Sequence, residues 1–425
     1  MDEPRWVPGD FFGLPIPADA AALRTDPVSF LDDAFHRFGS LSPDNHVTAV
    51  TQFEECAGGS TGRKLLLSLS YARPEPGLPT ELFVKFSRDF DNPRRDRGRT
   101  QMAREVRFAV LARGDFPISI PTATFADYHG ASGTGVLITE RIPYGTPPVE
   151  PHYDKCLDYR MPDPLGHYEA LLTAVARVAG AQRAGRLDTG FADGFEFDPD
   201  LVNVGQPIGY SPSQLHDRVA AYAQFAAALP GLVPQRLREA EFVERMHREV
   251  EGIAAAADSV GKELNSVDDH VALCHWNANV DNAWFWRSAA GLQCGLLDWG
   301  CVSEMNVAMA LWGALCSAET SLWECHLEHL LAHFADEFEA AGGPRLDAGE
   351  IRRQLVSYAL VMGLTWLLDA PGYLRALVPD LDTVADRYDP RISDNEAARA
   401  QLLMLTNFLH LWQSGDSADV PGAAV

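Results

Sequence analysis

The hydrophobic pattern of this chain changes from a period of two residues to a helical pattern at about residue 151. Alternating apolar residues predict half-buried strands, whereas apolar residues three and four apart predict helices packed on a core. Between about residue 47 and the change, one helix is predicted at 100–113, and the predicted strands lie at 47–54, 63–71, 81–87, 122–128 and 135–142. After it, the chain is predicted to be helical, with one hairpin at 271–300. The order predicts an α+β fold with two lobes, a small β-rich N-lobe and a large helical C-lobe.

The length of 425 residues is enough for two or three lobes around a substantial core. We place an N-terminal helical extension at residues 1–45, which includes an amphipathic helix at 27–38. The N-lobe then covers residues 46–142, and the helical C-lobe covers residues 143–425.

The net charge of −24 argues against non-specific binding of nucleic acid, because the phosphate backbone repels an acidic protein. The charge favours a cationic substrate or partner, and simple solubility is the alternative. Seven cysteines without a CxxC pair are typical of reduced thiols in a cytosolic protein. The first residues lack the apolar segment of a signal peptide, and the longest apolar runs are too short to span a bilayer. We therefore expect a cytoplasmic protein that binds neither membrane nor nucleic acid.

A glycine-rich turn joins the first two predicted strands of the N-lobe. Its residues are Gly58, Gly59, Ser60, Thr61 and Gly62. Glycines let backbone N–H groups approach a polyphosphate without obstruction by a Cβ atom, and the two hydroxyls add hydrogen-bond donors. A plain hairpin turn is the alternative, since glycine-rich turns are common.

Lys85 lies in the middle of an apolar strand, on the face opposite Leu82, Val84 and Phe86. A lysine in such a strand must reach a partner or extend its ammonium to water. Glu105, on the predicted helix that follows, is the acidic partner that we expect. An exposed lysine on an edge strand is the alternative.

A polar loop in the C-lobe contains the most specific pattern, His275-Trp276-Asn277-Ala-Asn-Val-Asp281-Asn282. An apolar run follows and ends at Asp298-Trp299-Gly300. Kinases place metal and phosphate ligands in a related pattern, H-x-D-x-x-x-x-N followed by D-x-G. The register agrees with one departure, because Asn277 stands where the catalytic aspartate is expected.

Taken together, these motifs resemble the aminoglycoside phosphotransferase and choline kinase-like family, which has a bilobal protein-kinase-like fold. The resemblance extends from about residue 47 to beyond residue 310. It includes the glycine turn, Lys85, Glu105, the loop with His275 and the segment with Asp298. Residues 137–142 resemble the segment between the lobes that binds adenine, which implies a nucleotide contact at Glu140 and Ile142.

The resemblance implies an ATP- and Mg²⁺-dependent phosphotransferase that acts on a hydroxyl group of a small molecule or peptide. Asn282 and Asp298 would bind Mg²⁺, and Lys85 with Glu105 would hold the phosphates. His275 would support its loop through hydrogen bonds, and Asn277 would contact the acceptor. A partner protein of the same pathway is left open.

Asn277 keeps three alternatives open for the reaction. General base catalysis typically contributes ~10²–10⁴-fold, and an amide accepts a hydrogen bond but no proton at neutral pH. Another carboxylate, such as Asp281, would take the role of base in a slow enzyme. Alternatively, the chain is a nucleotide-binding pseudokinase that acts as a binding or regulatory module. A deliberate Asp→Asn replacement is the third reading.

Two other clusters carry weaker predictions. His326, His329 and His333 fall near one face of a predicted helix, where a zinc site or a polar stripe would fit. Acidic residues of the C-lobe, among them Asp154, Asp158 and Asp163, would favour a cationic acceptor. Surface solubility is the alternative for these acids.

Overall fold

The computed structural model describes residues 5–56, 61–195, 208–266 and 268–415. Its strands, in chain order, are β1 (Trp6–Pro8), β2 (Pro15–Pro17), β3 (Val47–Cys56), β4 (Arg63–Tyr71), β5 (Glu81–Phe86), β6 (Ala123–His129), β7 (Thr134–Glu140), β8 (Val271–His275), β9 (Ala283–Ser288), β10 (Gly291–Leu296) and β11 (Val302–Asn306). The chain forms two compact units, and each is described by itself below.

The α-helices follow the same numbering in chain order. They are α1 (Ala20–Thr25), α2 (Pro27–Phe38), α3 (Pro93–Asp96), α4 (Met102–Leu111), α5 (Pro164–Arg183), α6 (Thr189–Gly194), α7 (Pro212–Ala228), α8 (Ala240–Ser266), α9 (Val307–Leu315), α10 (Thr320–Ala340), α11 (Ala348–Met362), α12 (Ala370–Leu377), α13 (Pro390–Ser393) and α14 (Glu396–Ser414). A short π-helix, Gly363–Leu367, continues α11.

The first unit contains residues 1–146 together with two later segments, 187–194 and 296–302. Its main element is a five-stranded antiparallel sheet in the order β3-β4-β5-β7-β6. Because successive side chains of a strand point to opposite faces, Leu65 and Leu67 of β4 share the buried face with Leu82 and Val84 of β5. The opposite face of β5 therefore presents Lys85.

Helix α2 packs on this sheet and belongs to the same hydrophobic core. It begins with a proline at its first turn and ends at Gly39, whose φ of 84° provides the left-handed residue that closes many helices. Its apolar face buries Phe30, Phe35 and Phe38 in a cluster with Phe125 of β6. Residues before β3 are thus packed into the core of the first unit.

The second unit contains residues 147–186, 195–295 and 303–425. Helix α5 packs along α10, while α9 is buried over its whole length. Strands β9 and β10 form a hairpin, and β8 pairs with β11. No single helix in the described ranges is long and apolar enough to cross a membrane. Helix α11 with its π-helical extension and helix α12, which meet at a bend of 44°, would together be long and apolar enough by length and composition only.

The predicted α+β class is confirmed, with strands concentrated before residue 146 and helices after it. The predicted strand at 63–71 and the predicted helix at 27–38 have the observed bounds. The helix predicted at 100–113 is shorter, Met102–Leu111, because a 3₁₀ turn, Arg97–Gln101, precedes it. Register shifts in the pairing of β3 with β4 mark irregularities that the alternating pattern did not predict.

Candidate functional site

Lys85 is the centre of a charged cluster in the first unit. Its Nζ atom lies 2.6 Å from Glu105 Oε2 and 2.8 Å from Asp298 Oδ1. The strand alternation of β5 directs Lys85 away from the core leucines, and α4 presents Glu105 from its first turns. The predicted pairing of Lys85 with Glu105 is present, and Asp298 is a second carboxylate on the same ammonium.

The ammonium of Lys85 stays charged despite its burial. The side chain of Lys85 is 12 % exposed and that of Glu105 is 6 % exposed, whereas Asp298 is 37 % exposed. Burial disfavours the ammonium, but the carboxylates of Glu105 and Asp298 outweigh it and raise the pKa of Lys85 above its ordinary value. Lys85 is therefore a fixed cation between a buried carboxylate, that of Glu105, and a carboxylate that is partly open to solvent, that of Asp298.

A second lysine lies beside Lys85 on the same face of the sheet. Lys64 of β4 is the cross-strand partner of Lys85, and directly opposed side chains share a face. Burial and the like charge of Lys85 lower the pKa of Lys64. In the described part of the chain, no hydrogen bond or ion pair engages its Nζ atom. The sequence pattern alone did not indicate Lys64 as a site residue, because its position beside Lys85 depends on the register of β4 and β5.

Asp298 adopts an unusual backbone conformation next to a firmly packed tryptophan. Its φ of 62° and ψ of 59° lie in the left-handed region, which aspartate tolerates better than most residues. The ring of Trp299 stacks on Phe108 of α4 at 4.0 Å with an interplanar angle of 8°. Trp299 Nε1 donates to Leu296 O at 3.2 Å. These contacts attach the segment that contains Asp298 to the helix that contains Glu105.

The end of the predicted glycine turn approaches β5 closely. Gly62 has a φ of 55°, and a Cβ atom there would lie 1.7 Å from Phe86 O. Only glycine fits such a position. Arg95 donates a hydrogen bond to Gly62 O, and a Cβ atom on Gly98 would meet Thr61. The other three residues predicted to bind phosphate, Gly58, Gly59 and Ser60, lie outside the described residues.

Of the residues predicted to contact nucleotide, Glu140 is the last residue of β7 and Ile142 follows it by two positions. Glu140 Oε1 accepts hydrogen bonds from the N–H group of Thr122 at 2.8 Å and from its hydroxyl at 2.9 Å. Ile142 is half-buried, and its carbonyl accepts from Tyr144 N at 3.0 Å. The Glu140 carboxylate therefore joins β7 to the start of β6.

The polar loop of the second unit is organised around Asn277. Asn279 Nδ2 donates to Asn277 Oδ1 at 2.7 Å, and Ser317 Oγ donates to Asn279 Oδ1 at 2.6 Å. Asn282 Nδ2 donates to Asn277 O at 2.9 Å. Asn279 and Ser317 are nearly inaccessible to solvent, whereas Asn277 is half-buried. Oδ1 of Asn277 accepts one bond from Asn279 and has a second lone pair, so the amide of Asn277 can offer a ligand both a donor and an acceptor.

The residues next to Asn277 are fixed by other contacts. His275 is buried, and its Nδ1 atom accepts from Asn277 N at 3.2 Å. Trp276 Nε1 donates to the hydroxyl of Tyr358 at 2.9 Å. A Cβ atom on Gly313 would lie 1.7 Å from Trp276 O, so α9 approaches the loop closely. Trp276 is therefore packed into the second unit beside the loop.

Asp281 points into the second unit, where it faces Lys155. Lys155 Nζ lies 3.7 Å from Asp281 Oδ2, and His152 Nε2 lies 3.0 Å from Asp281 O. Asp281 Oδ1 is buried and has no hydrogen-bond partner among the described residues. Burial raises the pKa of this carboxyl, against the lowering effect of Lys155. The side chain is thus engaged inside the unit.

The three histidines considered for zinc make separate contacts in the second unit. His329 Nε2 lies 2.6 Å from Glu169 Oε1, and His333 Nε2 lies 2.8 Å from Thr173 Oγ1. Both partners belong to α5, four residues apart. His326 is not among the groups of the described residues whose ligand atoms converge. These contacts favour a polar stripe over a zinc site.

Asp158, one of the predicted acidic residues, is completely buried. Its Oδ2 atom accepts from the hydroxyl of Tyr168 and from Glu319 N, each at 2.9 Å. Its Oδ1 atom is buried without a hydrogen-bond partner in the described part of the chain. Burial outweighs these donors and raises the pKa of Asp158 to about 7.

This burial predicts a pH dependence of stability. The pKa of about 7 in the folded chain exceeds the ordinary aspartate value, so the folded state binds more protons between pH ~4 and pH ~7. The free energy of unfolding should therefore fall as pH rises through that window, by up to ~4 kcal/mol. Urea denaturation should show a shallower fall for Asp158→Asn, while Asp154→Asn should follow the wild type. Identical curves for Asp158→Asn and wild type would contradict this assignment.

Comparisons with known proteins complete the description of the site. No protein-family model matches the sequence, and no curated protein matches it. Among solved structures, Plasmodium vivax ethanolamine kinase is similar at 10 % identity and a TM-score of 0.44, over 92 % of this chain and 89 % of that chain. The GDP and kanamycin complex of APH(2")-IIia is similar at 13 % identity and a TM-score of 0.42, over 85 % and 95 %. A microcompartment-associated aminopropanol kinase is similar at 12 % identity and a TM-score of 0.42, over 85 % and 91 %.

These solved structures are kinases and phosphotransferases, the group of proteins that the motifs of this sequence resemble. Each TM-score is below 0.5, so the role proposed below depends on the side chains of the site and not on these similarities.

Proposed function

We propose that this chain is an ATP- and Mg²⁺-dependent phosphotransferase whose first unit binds the phosphates of the nucleotide. The observation that carries the proposal is the buried ammonium of Lys85 between Glu105 and Asp298, at 2.6 and 2.8 Å. A buried lysine with two carboxylates is costly to maintain for stability alone. A kinase uses this arrangement to orient a lysine toward the nucleotide phosphates.

Lys64 strengthens the case for an anionic ligand. Two adjacent lysines on one sheet face repel each other, and burial adds to the cost, as the lowered pKa of Lys64 reflects. A polyphosphate would relieve this repulsion by accepting hydrogen bonds from both ammonium groups. The close backbone approach at Gly62 lies at the same end of these strands, where Arg63 pairs with Phe86.

Asp298 is the residue of the first unit that would hold Mg²⁺. Its carboxylate is partly open, and oxygen ligands of this kind suit Mg²⁺, which retains several waters. When bound, the ion would neutralise negative charge on the phosphates. Lys85 would orient the phosphates, and Glu105 would hold Lys85 in place after Asp298 turns to the metal. Asn282 is a proposed metal ligand because its loop resembles the metal-binding loop of kinases.

The acceptor would be a hydroxyl group of a small molecule or a peptide. Asn277 would contact it through its Nδ2 donor or through Oδ1, which accepts from Asn279 and has a second lone pair. An amide can position an acceptor but cannot remove its proton. Phosphoryl transfer depends mainly on positioning and charge stabilisation, so slow transfer is compatible with this loop.

A nucleotide-binding pseudokinase is the second candidate, and the amide of Asn277 favours it. Because an amide cannot take the proton of an acceptor hydroxyl, nucleotide binding in the first unit can exist without transfer. In that case the chain would act as a binding or regulatory module.

Calorimetric titration with a non-hydrolysable ATP analogue tests the proposal. We expect the wild-type chain to bind the analogue more tightly with Mg²⁺ than with EDTA. Asp298→Ala should remove this difference, because the variant lacks the proposed metal ligand. The control Asp44→Ala, which alters an exposed carboxylate of the same unit, should keep it. Absence of nucleotide binding by the wild type, or full Mg²⁺ dependence in Asp298→Ala, would contradict the proposal.

A further inference from the structure

A second group of converging side chains lies in the first unit, where α2 meets the start of β3. Asp32 and His36 are four residues apart on α2 and therefore share one face of the helix. His46 precedes the first residue of β3. One ligand atom from each of the three residues lies within 4.8 Å of the others. Among the described residues, no other group of three histidine, cysteine or acidic side chains converges in this way.

The distances in this group match those between ligands of a tetrahedral metal ion. His46 Nδ1 lies 3.3 Å from Asp32 Oδ2, and His36 Nδ1 lies 3.5 Å from the same oxygen. Zinc binds histidine nitrogen and carboxylate oxygen at about 2.0–2.2 Å, which places tetrahedral ligands about 3.3–3.5 Å apart. Two of the three distances therefore match a tetrahedral site, and all three ligand atoms lie within 4.8 Å of one another.

Neighbouring groups hold the three side chains in orientations suited to a metal. Asp32 Oδ1 accepts from Val47 N at 2.8 Å, which directs Oδ2 toward the histidines. His36 Nε2 lies 3.2 Å from Ser42 O. The buried Asn45 fixes the backbone beside His46 by accepting from His46 N at 3.0 Å. Metal-binding histidines commonly donate their other N–H group to a backbone carbonyl, and Ser42 O is placed to accept such a bond from His36.

The ring nitrogens of His36 both lie near backbone carbonyls. The Nδ1 atom lies 2.9 Å from Asp32 O, and the Nε2 atom lies 3.2 Å from Ser42 O. A metal ion bound at Nδ1 would replace the contact of this atom with Asp32 O. Asp32 Oδ2 and His46 Nδ1 are the additional ligands that a metal would use.

We propose that Asp32, His36 and His46 bind one Zn²⁺-class divalent cation, with water in the remaining position. Two imidazoles and one carboxylate are a donor set typical of zinc. The ion would join α2 to β3 and stabilise the first unit. This site is separate from Lys85 and does not depend on the proposed phosphotransferase activity.

Zinc titration of the EDTA-treated, dialysed full-length chain tests this site. A pH of about 8 is suitable for the titration, because zinc binds the neutral form of imidazole. We expect one equivalent of Zn²⁺ by calorimetry and the visible spectrum of tetrahedral Co²⁺ when cobalt replaces zinc. His46→Ala should weaken Zn²⁺ binding by more than the ~10–100-fold typical for loss of an outer-shell partner. Its side chain is 59 % exposed, so the variant should fold.

The matched control is His216→Ala, which alters another histidine pair. His216 Nδ1 lies 3.0 Å from His247 Nδ1 in the second unit. This variant should bind Zn²⁺ like the wild type. Zinc should also raise the unfolding temperature of wild type and His216→Ala but not of His46→Ala. No Zn²⁺ binding by the wild type, equal binding by His46→Ala, or loss of binding in His216→Ala would each overturn the proposal.

Discussion

Replacing Lys85 by alanine is expected to reduce phosphoryl transfer or ATP hydrolysis by ~10²–10³-fold, as is typical when one donor to the transition-state charge is removed. The variant loses the ammonium that lies 2.6 Å from Glu105 and 2.8 Å from Asp298. Affinity for the Mg²⁺ complex of ATP should fall as well, because the phosphates lose a buried cation. Steady-state turnover and calorimetry on the full-length variant measure the two effects.

Loss of folding must be separated from loss of function in this test. Lys85→Ala leaves the buried Glu105 without its cation, which is destabilising in itself. The double variant Lys85→Met with Glu105→Gln removes both charges at nearly constant volume and should recover much of the stability. It should remain as inactive as the single variant. Normal affinity for ATP with Mg²⁺ in either variant would contradict the assignment of Lys85 to the phosphates.

Replacing Asn277 by aspartate is expected to raise ATP turnover by ~10²–10⁴-fold, the usual contribution of a general base. The change keeps the shape of the side chain and gives it an oxygen in place of Nδ2. Asn279 Nδ2, now 2.7 Å from Asn277 Oδ1, would donate to the new carboxylate. Ser317 Oγ, 2.6 Å from Asn279 Oδ1, keeps that amide oriented as a donor. The carboxylate should therefore be ionised and available at neutral pH.

Two variants serve as controls for this gain. Asn277→Ala should stay at or below the wild-type rate, because it supplies neither donor nor base. Combining Asn277→Asp with Asn279→Ala should lose part of the gain, since the donor that orients the carboxylate is absent. If Asn277→Asp binds the nucleotide but shows no turnover above background, the pseudokinase becomes the better account of the chain.

Local patterns in the sequence were sufficient to predict the elements on which the site lies. The alternation of β4 predicted both of its ends and its buried leucines, because a strand with one buried face must alternate. The same rule placed Lys85 on the face away from the core. Helix α2 was predicted from its amphipathic face, and its bounds follow from a proline at the start and Gly39 at the end.

Contacts between distant residues were not accessible in the same way. Asp298 reaches Lys85 across 213 positions, and the stack of Trp299 on Phe108 that supports this contact follows from packing alone. The role of Ser317 behind Asn279 depends on the position of a residue that follows α9, 38 positions away. A period of two or of 3.6 residues describes one element at a time and contains no information about such pairs.

The convergence of Asp32, His36 and His46 was missed for a related reason. The spacing of Asp32 and His36 is visible on a helix, but His46 joins them only because the chain reverses after Gly39. Conversely, His326, His329 and His333 have a suggestive spacing, yet the latter two contact separate residues of α5. Spacing along a helix is therefore a weak guide to metal binding without the position of the next element.

A crystal structure of the wild-type chain with Mg²⁺ and a non-hydrolysable ATP analogue would show whether Lys85 and Asp298 bind the nucleotide. We expect phosphate oxygens within hydrogen-bonding distance of Lys85 Nζ and a Mg²⁺ ion bound by the carboxylate of Asp298. Glu105 should retain its contact with Lys85 in that complex. A nucleotide bound elsewhere, with Lys85 still held by both Glu105 and Asp298, would contradict the account.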